Sequence, residues 1–375
     1  MSKIELAVVL PPGVFIEDEL KLRKWSQLDL AEVMGRSPRL VNELITGKRS
    51  ITPETATGLS EAFGNDAQFW MNLESIYQLS KIRSADEGVA RRSKLFSAFP
   101  VREMTRRRWI QNSDDPNILE KEFLNFFNIK QINDSPSIHS HQRKSGSYKE
   151  ELSIDQKAWL FRVFRLCEKQ QVPTFSVKKL DSACTELKSN LGKSDLRDIP
   201  AILNNAGIHF LIVETLPGNK IDGVCFWVNE GKNPVIALTL RNDRIDSFWF
   251  TLLHECGHVK YKHGHQEILP DTNLVGKDAQ KTSDKPPAEQ QADRFASDFI
   301  INEEILIDFA ENVAPYFSKK RIREFAESHD IHPGLIVGQL QHRDYIPYSH
   351  SREMLEKMRE QLTSVALTDG WGAAP

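Results

Sequence analysis

The feature that most constrains this chain is His254-Glu255-Cys256-Gly257-His258, set directly behind the apolar run Phe248-Trp249-Phe250-Thr251-Leu252-Leu253. The pattern over Asp246–Tyr261 predicts a helix, and on a helix His254 and His258 stand four apart and share a face. A helix flanked by so much apolar surface is buried, and buried ionisable side chains need partners. Two imidazoles on one face are able to hold one metal ion. Glu255 lies beside the first of them, placed to take a proton from water polarised by the metal and return it to a leaving amine. The bland alternative is two surface histidines and a solvated glutamate, which the apolar flank disfavours.

Such a site needs a third ligand. A downstream histidine would require glycine where Tyr261 stands and histidine where Gly264 stands, so that template fails, and His263 and His265 read as surface residues. A carboxylate from a later helix remains. In Glu289-Gln290-Gln291-Ala292-Asp293 the two acids are four apart on one helical face. That matches the gluzincin arrangement, with Glu289 on the metal and Asp293 as an outer-shell acid fixing a ligand imidazole. Zinc suits two imidazoles and a carboxylate, with manganese and iron as alternatives. His332 and His342 are further candidates for stabilising an oxyanion.

The rest of the chain divides by periodicity. Residues 16–85, 96–130 and 153–170 carry helical patterning, whereas Ile208–Val213, Val224–Val228 and Val235–Leu240 are short β-branched and aromatic runs that predict a small sheet. Residues 133–149 are rich in Ser, Pro, His, Gln, Arg and Gly and read as a linker, and the chain from Ala366 reads as a disordered tail. The expected fold class is multidomain: an all-α helix-turn-helix domain, then an α+β zincin-like (gluzincin) domain with a small sheet. Expected boundaries are 1–95 for the first domain, 96–190 for a helical connector with a flexible segment near 133–150, 191–345 for the metal domain and 346–375 for a final helix and tail.

Within the first part, Trp25–Gly47 has a helix-turn-helix layout. Ser26 caps a short helix with Leu28, Leu30, Ala31 and Val33-Met34 inward, Gly35 makes the turn, and Ser37 caps a second helix that opens on Pro38. Leu40, Val41 and Leu44 face the first helix, leaving Arg39, Asn42 and Glu43 outward. Arg36, Arg39, Lys48 and Arg49 form a local cationic patch able to meet phosphates, and Arg39 and Asn42 are chemically able to read base edges. A formal net charge of -3 confines any nucleic-acid contact to such a patch. The basic stretch Arg102–Arg108 reads as a solvated helix face. The four cysteines form no C-x-x-C pair and no apolar run is long enough to cross a membrane, which together predict a cytoplasmic protein with free thiols.

Two resemblances sharpen this reading. The run Pro12-Gly13, Trp25-Ser26-Gln27, Gly35-Arg36-Ser37, Gly47–Thr52 and Phe69–Leu73 resembles the HigA antitoxin repressors, within the Cro/repressor (XRE) helix-turn-helix class. The resemblance implies that Gln27 touches a phosphate, that the helix from Ser37 enters the major groove of an operator, and that the protein is a homodimer with a HigB-like ribonuclease toxin as partner. Pro38 departs from the polar base reader frequent at that position. His254-Glu255-x-Gly257-His258 with Glu289-x-x-Ala292-Asp293-x-Phe295-Ala296 resembles the ImmA/IrrE metallopeptidases, over roughly residues 196–345. It implies a zinc-dependent endopeptidase whose substrate is a repressor protein or this chain itself. Asp293, where asparagine is more frequent, and Phe299-Ile300-Ile301-Asn302, in place of Leu-Leu-Met-Pro, depart from that pattern. The alternative function is a non-catalytic antitoxin and autorepressor whose metal domain is a sensor or dimerisation scaffold.

Overall fold

The computed structural model describes residues 9–82, 87–134, 136, 152–264, 268–277, 279 and 284–372. Most of the expected linker, and His265, lie outside them. The chain forms two compact units, Met1–Lys94 and Leu95–Pro375.

The first unit is helical: α1 (Pro12–Arg23), α2 (Gln27–Val33), α3 (Pro38–Ile45), α4 (Pro53–Phe63) and α5 (Ala67–Ile82), with α6 (Glu87–Ala98) carrying the chain across the boundary. The caps are local and legible. Ser26 and Asp29 form a reciprocal capping box at α2, the Ser37 hydroxyl accepts from the Leu40 N–H, and Thr52 and Thr55 repeat the box at α4. Gly35 turns the chain between α2 and α3 at a φ of 60°, which costs glycine little. Ile16, Leu30, Ala31, Val41, Leu59 and Trp70 close the core. Leu28 and Val33 depart from expectation: each is 54% exposed, because they lie on the far side of a two-turn helix whose buried stripe is Leu30 and Ala31.

The second unit is a mixed sheet between helical layers. It runs α7 (Val101–Arg106), α8 (Pro116–Phe127), α9 (Ile154–Cys167), α10 (Val177–Lys188), α11 (Ile199–Asn205), β1 (His209–Val213), β2 (Ile221–Val228), β3 (Asn233–Leu238), α12 (Ile245–Tyr261), β4 (Leu269–Thr272), α13 (Pro287–Ile300), α14 (Glu303–Val313), α15 (Lys319–Ser328), α16 (Pro333–His342), α17 (Arg359–Thr363) and β5 (Leu367–Asp369). The strand order is β4-β2-β3-β1-β5. β1 is parallel to β3 and β5, and β2 is antiparallel to β3 and β4.

Alternation along the strands feeds two cores. Leu211, Val213, Val224, Phe226, Val235 and Ala237 pack with side chains of α7–α9, including Met104, Phe123 and Trp159. Phe210, Ile212, Cys225, Ile236 and Leu238 pack with those of α10–α16, among them Leu180, Phe248 and Ile336. A sheet covered on both faces explains why the central runs are continuously apolar. The helices read from sequence as a connector are therefore part of this unit, α7–α9 on one face of the sheet and α10 on the other. Leu367–Asp369, read as tail, is its fifth strand, held on β1 with Asp369 buried against Arg162 and the Trp109 indole N–H. Arg107, read as solvated, is buried and donates to the Glu214 and Thr215 carbonyls. Among the described residues no helix is long and apolar enough to cross a membrane.

Candidate metal centre and helix-turn-helix face

α12 presents His254 and His258 to α13, which returns Glu289 and Asp293. The approach is close because Gly257 lies at the crossing: a Cβ there would stand 3.1 Å from the Ala292 Cα. The glycine of the H-E-x-G-H pattern is thus a packing requirement. The two Nε2 atoms of His254 and His258 are 2.9 Å apart. Glu289 Oε2 lies 3.1 Å from the first and 3.6 Å from the second. Behind them, His254 Nδ1 faces Asp293 Oδ1 at 2.9 Å, and Lys285 Nζ donates to Asp293 Oδ2 at 2.7 Å. His258 Nδ1 meets His263 Nδ1 at 3.0 Å.

Sequence reasoning missed three participants. His263, read as a surface residue, is half-buried and orients His258. Lys285 had no motif around it. Asp271, on β4, brings Oδ2 within 3.6 Å of His254 Nε2 and 3.8 Å of His258 Nε2. The ligand atoms of His254, His258, Asp271 and Glu289 all lie within 4.8 Å of one another.

The electrostatics ask for a cation. Burial opposes charge on His254, yet Asp271, Asp293 and Glu289 together raise its pKa well above the ordinary imidazole range. Burial also opposes charge on Glu289, but hydrogen bonds with His254 and His258 hold its carboxyl far below the usual range. Glu255 is fully buried with neither carboxylate oxygen partnered, and burial followed by the nearby Asp271 pushes its pKa well up. Two imidazoles facing a set of buried carboxylates, with one acid unpartnered, fit a divalent metal and fit little else. The neighbouring Cys256 thiol is pushed up by burial and reads as core.

Glu255 is seated against β2. A Cβ on Gly223 would collide with Glu255 Oε1 and stand 3.0 Å from Thr251 Cγ2. Gly223→Ala is expected to destabilise the second unit by about 1–3 kcal/mol through overpacking and to displace Glu255. Denaturant unfolding beside metal analysis checks this: lower stability with unchanged metal content is the expected pair, and wild-type stability would refute the tight seat.

Residues 205–327 match the IrrE N-terminal-like domain of the M78 peptidase family, and residues 16–70 match the helix-turn-helix family. The first unit belongs to the helix-turn-helix family, and the second carries an IrrE N-terminal-like domain. Its helix-turn-helix half is similar to virulence-associated protein I of Dichelobacter nodosus, 36% identical over 78 residues, 21% of this chain and 72% of the relative. It is also similar to the uncharacterized HTH-type transcriptional regulator YddM of Escherichia coli (strain K12), 34% identical over 70 residues, 19% of this chain and 74% of the relative. Among solved structures, Pseudomonas aeruginosa antitoxin HigA with higBA promoter is 35% identical, with 20% of this chain and 85% of that chain covered, at a TM-score of 0.20.

Within the IrrE-like domain the two departures from pattern have local accounts. Asp293 places a carboxylate where an amide is frequent, and the buried Lys285 ammonium balances it. Asn302 caps α14, accepting from the Glu304 and Ile305 N–H groups, while Ile300 lines a small recess of about 30 Å³ with Phe250, Leu274, Leu335 and His342. Phe250 stands one turn before His254, its ring 6.1 Å from that of His342. Burial, then Arg343, lowers the His342 pKa. His332 instead caps α16, with Nδ1 accepting from the Gly334 N–H, and Nε2 reaches Glu356.

In the helix-turn-helix unit, Asn42 on α3 donates to Gln27 at the start of α2 at 3.2 Å, bringing those two candidates together. Arg39 and Arg49 converge on Glu43, at 2.8 and 3.6 Å, so that acid is partly inward and holds two of the four cations. Arg36 pairs with Glu54 on α4, away from them. Lys48 is exposed in the turn after α3, and Ser37 is engaged in its cap.

Proposed function

We propose that this protein is a DNA-binding transcriptional regulator, HigA-like in its first unit, whose second unit is a zinc-dependent metallopeptidase controlling its own operon by cleaving a repressor or this chain. The observation that carries the enzymatic half is the convergence of His254, His258 and Glu289 with the unpartnered Glu255 beside them. His254 and His258 on α12 and Glu289 on α13 would hold the metal, and Asp293 and His263 would fix the two imidazoles. Zinc supplies Lewis acidity when bound there. Glu255, buried and without a competing donor, takes the proton from the attacking water and delivers it to the leaving amine.

For the DNA-binding half, α3 enters the major groove of a two-fold operator as part of a homodimer. Gln27 contacts a phosphate and orients Asn42 toward a base edge, while Arg36, Ser37, Arg39, Lys48 and Arg49 position the unit on the backbone. A HigB-like toxin is the expected protein partner.

The test is metal content by elemental analysis on wild type and Glu289→Ala, with selection of bound duplexes from a random pool by wild type and Asn42→Ala. One zinc per chain, lost in Glu289→Ala, and a two-fold consensus relaxed at one base per half-site in Asn42→Ala are expected. A metal-free, folded wild type would remove the enzymatic half, and no consensus would remove the other. A second reading, a non-catalytic regulator with a closed metal site, is favoured by one observation: the position of Asp271.

A further inference from the structure

Resting on the metallopeptidase reading above, we propose that Asp271 is a fourth protein ligand, so that the conformation described here is a resting one in which the metal is closed to solvent and substrate. Neither family motif contains this residue. The argument is geometric. Ligands about 2.0–2.1 Å from a tetrahedral zinc stand about 3.3 Å from each other. The donor atoms here are separated by 2.9 Å (His254–His258), 3.1 Å (His254–Glu289), 3.6 Å (His258–Glu289), 3.6 Å (His254–Asp271) and 3.8 Å (His258–Asp271). These five edges bracket the tetrahedral value, and the sixth falls within the same 4.8 Å limit. Five of the six edges thus lie near those of a tetrahedral site, and the sixth is bounded by 4.8 Å.

Structural metal sites are closed in this way, whereas catalytic sites keep one position open. With Asp271 in place, the position a water would need is taken, and Glu255 faces the Asp271 carboxyl instead. The four ligands are not held equally. His254 and His258 sit on a buried helix of 17 residues and Glu289 on one of 14 residues packed against it. Asp271 sits on a strand of four residues at the edge of the sheet, paired among the described residues to β2 alone, next to a register shift between Ile221 and Gly223. It is the ligand the fold can release at least cost. Moving it away opens the site without disturbing the other three, so its release is the natural switch from resting to active.

The experiment uses the full-length protein, stripped and reloaded with cobalt(II), in wild type, Asp271→Ala and the near-isosteric Asp271→Asn, with circular dichroism as the folding control. Cobalt affinity is measured by competition with a chromophoric chelator, and azide is titrated against the cobalt d–d bands. In either variant the metal affinity is expected to fall by about 10-fold or more, and azide is expected to bind at least about 10-fold more tightly than to wild type. Equal azide affinity and equal metal affinity in wild type and the folded variants would overturn the assignment of Asp271 while leaving the three-ligand site intact. Failure of folded wild type to bind one cobalt per chain would overturn the metallopeptidase reading itself, and the proposal with it. If Asp271→Ala does not fold, Asp271→Asn carries the same two readouts.

Discussion

Glu255→Gln is expected to bind one metal per chain and to lose peptide hydrolysis by about 100-fold to 10,000-fold, the range a positioned general base contributes. The substitution keeps shape and removes only basicity. It also replaces a fully buried carboxyl with no partner by a neutral amide, so the metal-free protein should be no less stable than wild type. The measurement is single-turnover cleavage of the chain's own linker or of a repressor, at equal metal loading. A Gln variant that cleaves as fast as wild type would remove Glu255 from the chemistry and point to another base. If Asp271 closes the site, Glu255→Gln is best compared in an Asp271→Asn background, where the wild-type rate is not limited by opening.

The second large effect concerns a pair outside both motifs. Lys285 and Asp293 are almost completely buried, their side chains 8% and 2% exposed, and meet at 2.7 Å. Lys285→Met takes the buried ammonium away from the Asp293 carboxylate, and breaking a buried pair by removing one partner costs about 3–5 kcal/mol. The double variant with Asp293→Asn should regain most of that loss, because an amide needs no counter-charge. Denaturant unfolding of the second unit across the four proteins of the cycle gives the coupling directly. Additive effects of the two changes would show that the pair does not act as a unit.

The parts of the site visible from sequence are those written in helical spacing. His254 to His258 and Glu289 to Asp293 are both four residues apart, and a helix converts that interval into a shared face whatever surrounds it. Asp271 has no such signature. It lies in Leu269-Pro270-Asp271-Thr272, where a proline argues against a strand except at a sheet edge, which is where β4 lies. β5 was illegible for a related reason: three residues offer no alternation, and only the long-range pairing with β1 defines them. The all-helical first unit was read from its caps, whose donors and acceptors are within three residues of each other. Its error, Leu28 and Val33, came from assigning every apolar residue of a short helix to one face. The charge pattern was likewise legible as a cluster but not as pairs, since Glu43 and Glu54 each engage arginines that look free in the sequence.

The pairing of β1 with β5 sets an order of events during synthesis. Met1–Lys94 forms a compact unit from its own contacts, so it is able to fold while the ribosome is still making the rest. The sheet of the second unit has β1 waiting, with one edge bare, until Leu367–Asp369 has emerged and Asp369 has met Arg162 and Trp109. Each nascent chain therefore passes through a stage in which the helix-turn-helix unit has all its residues and the sheet of the second unit does not.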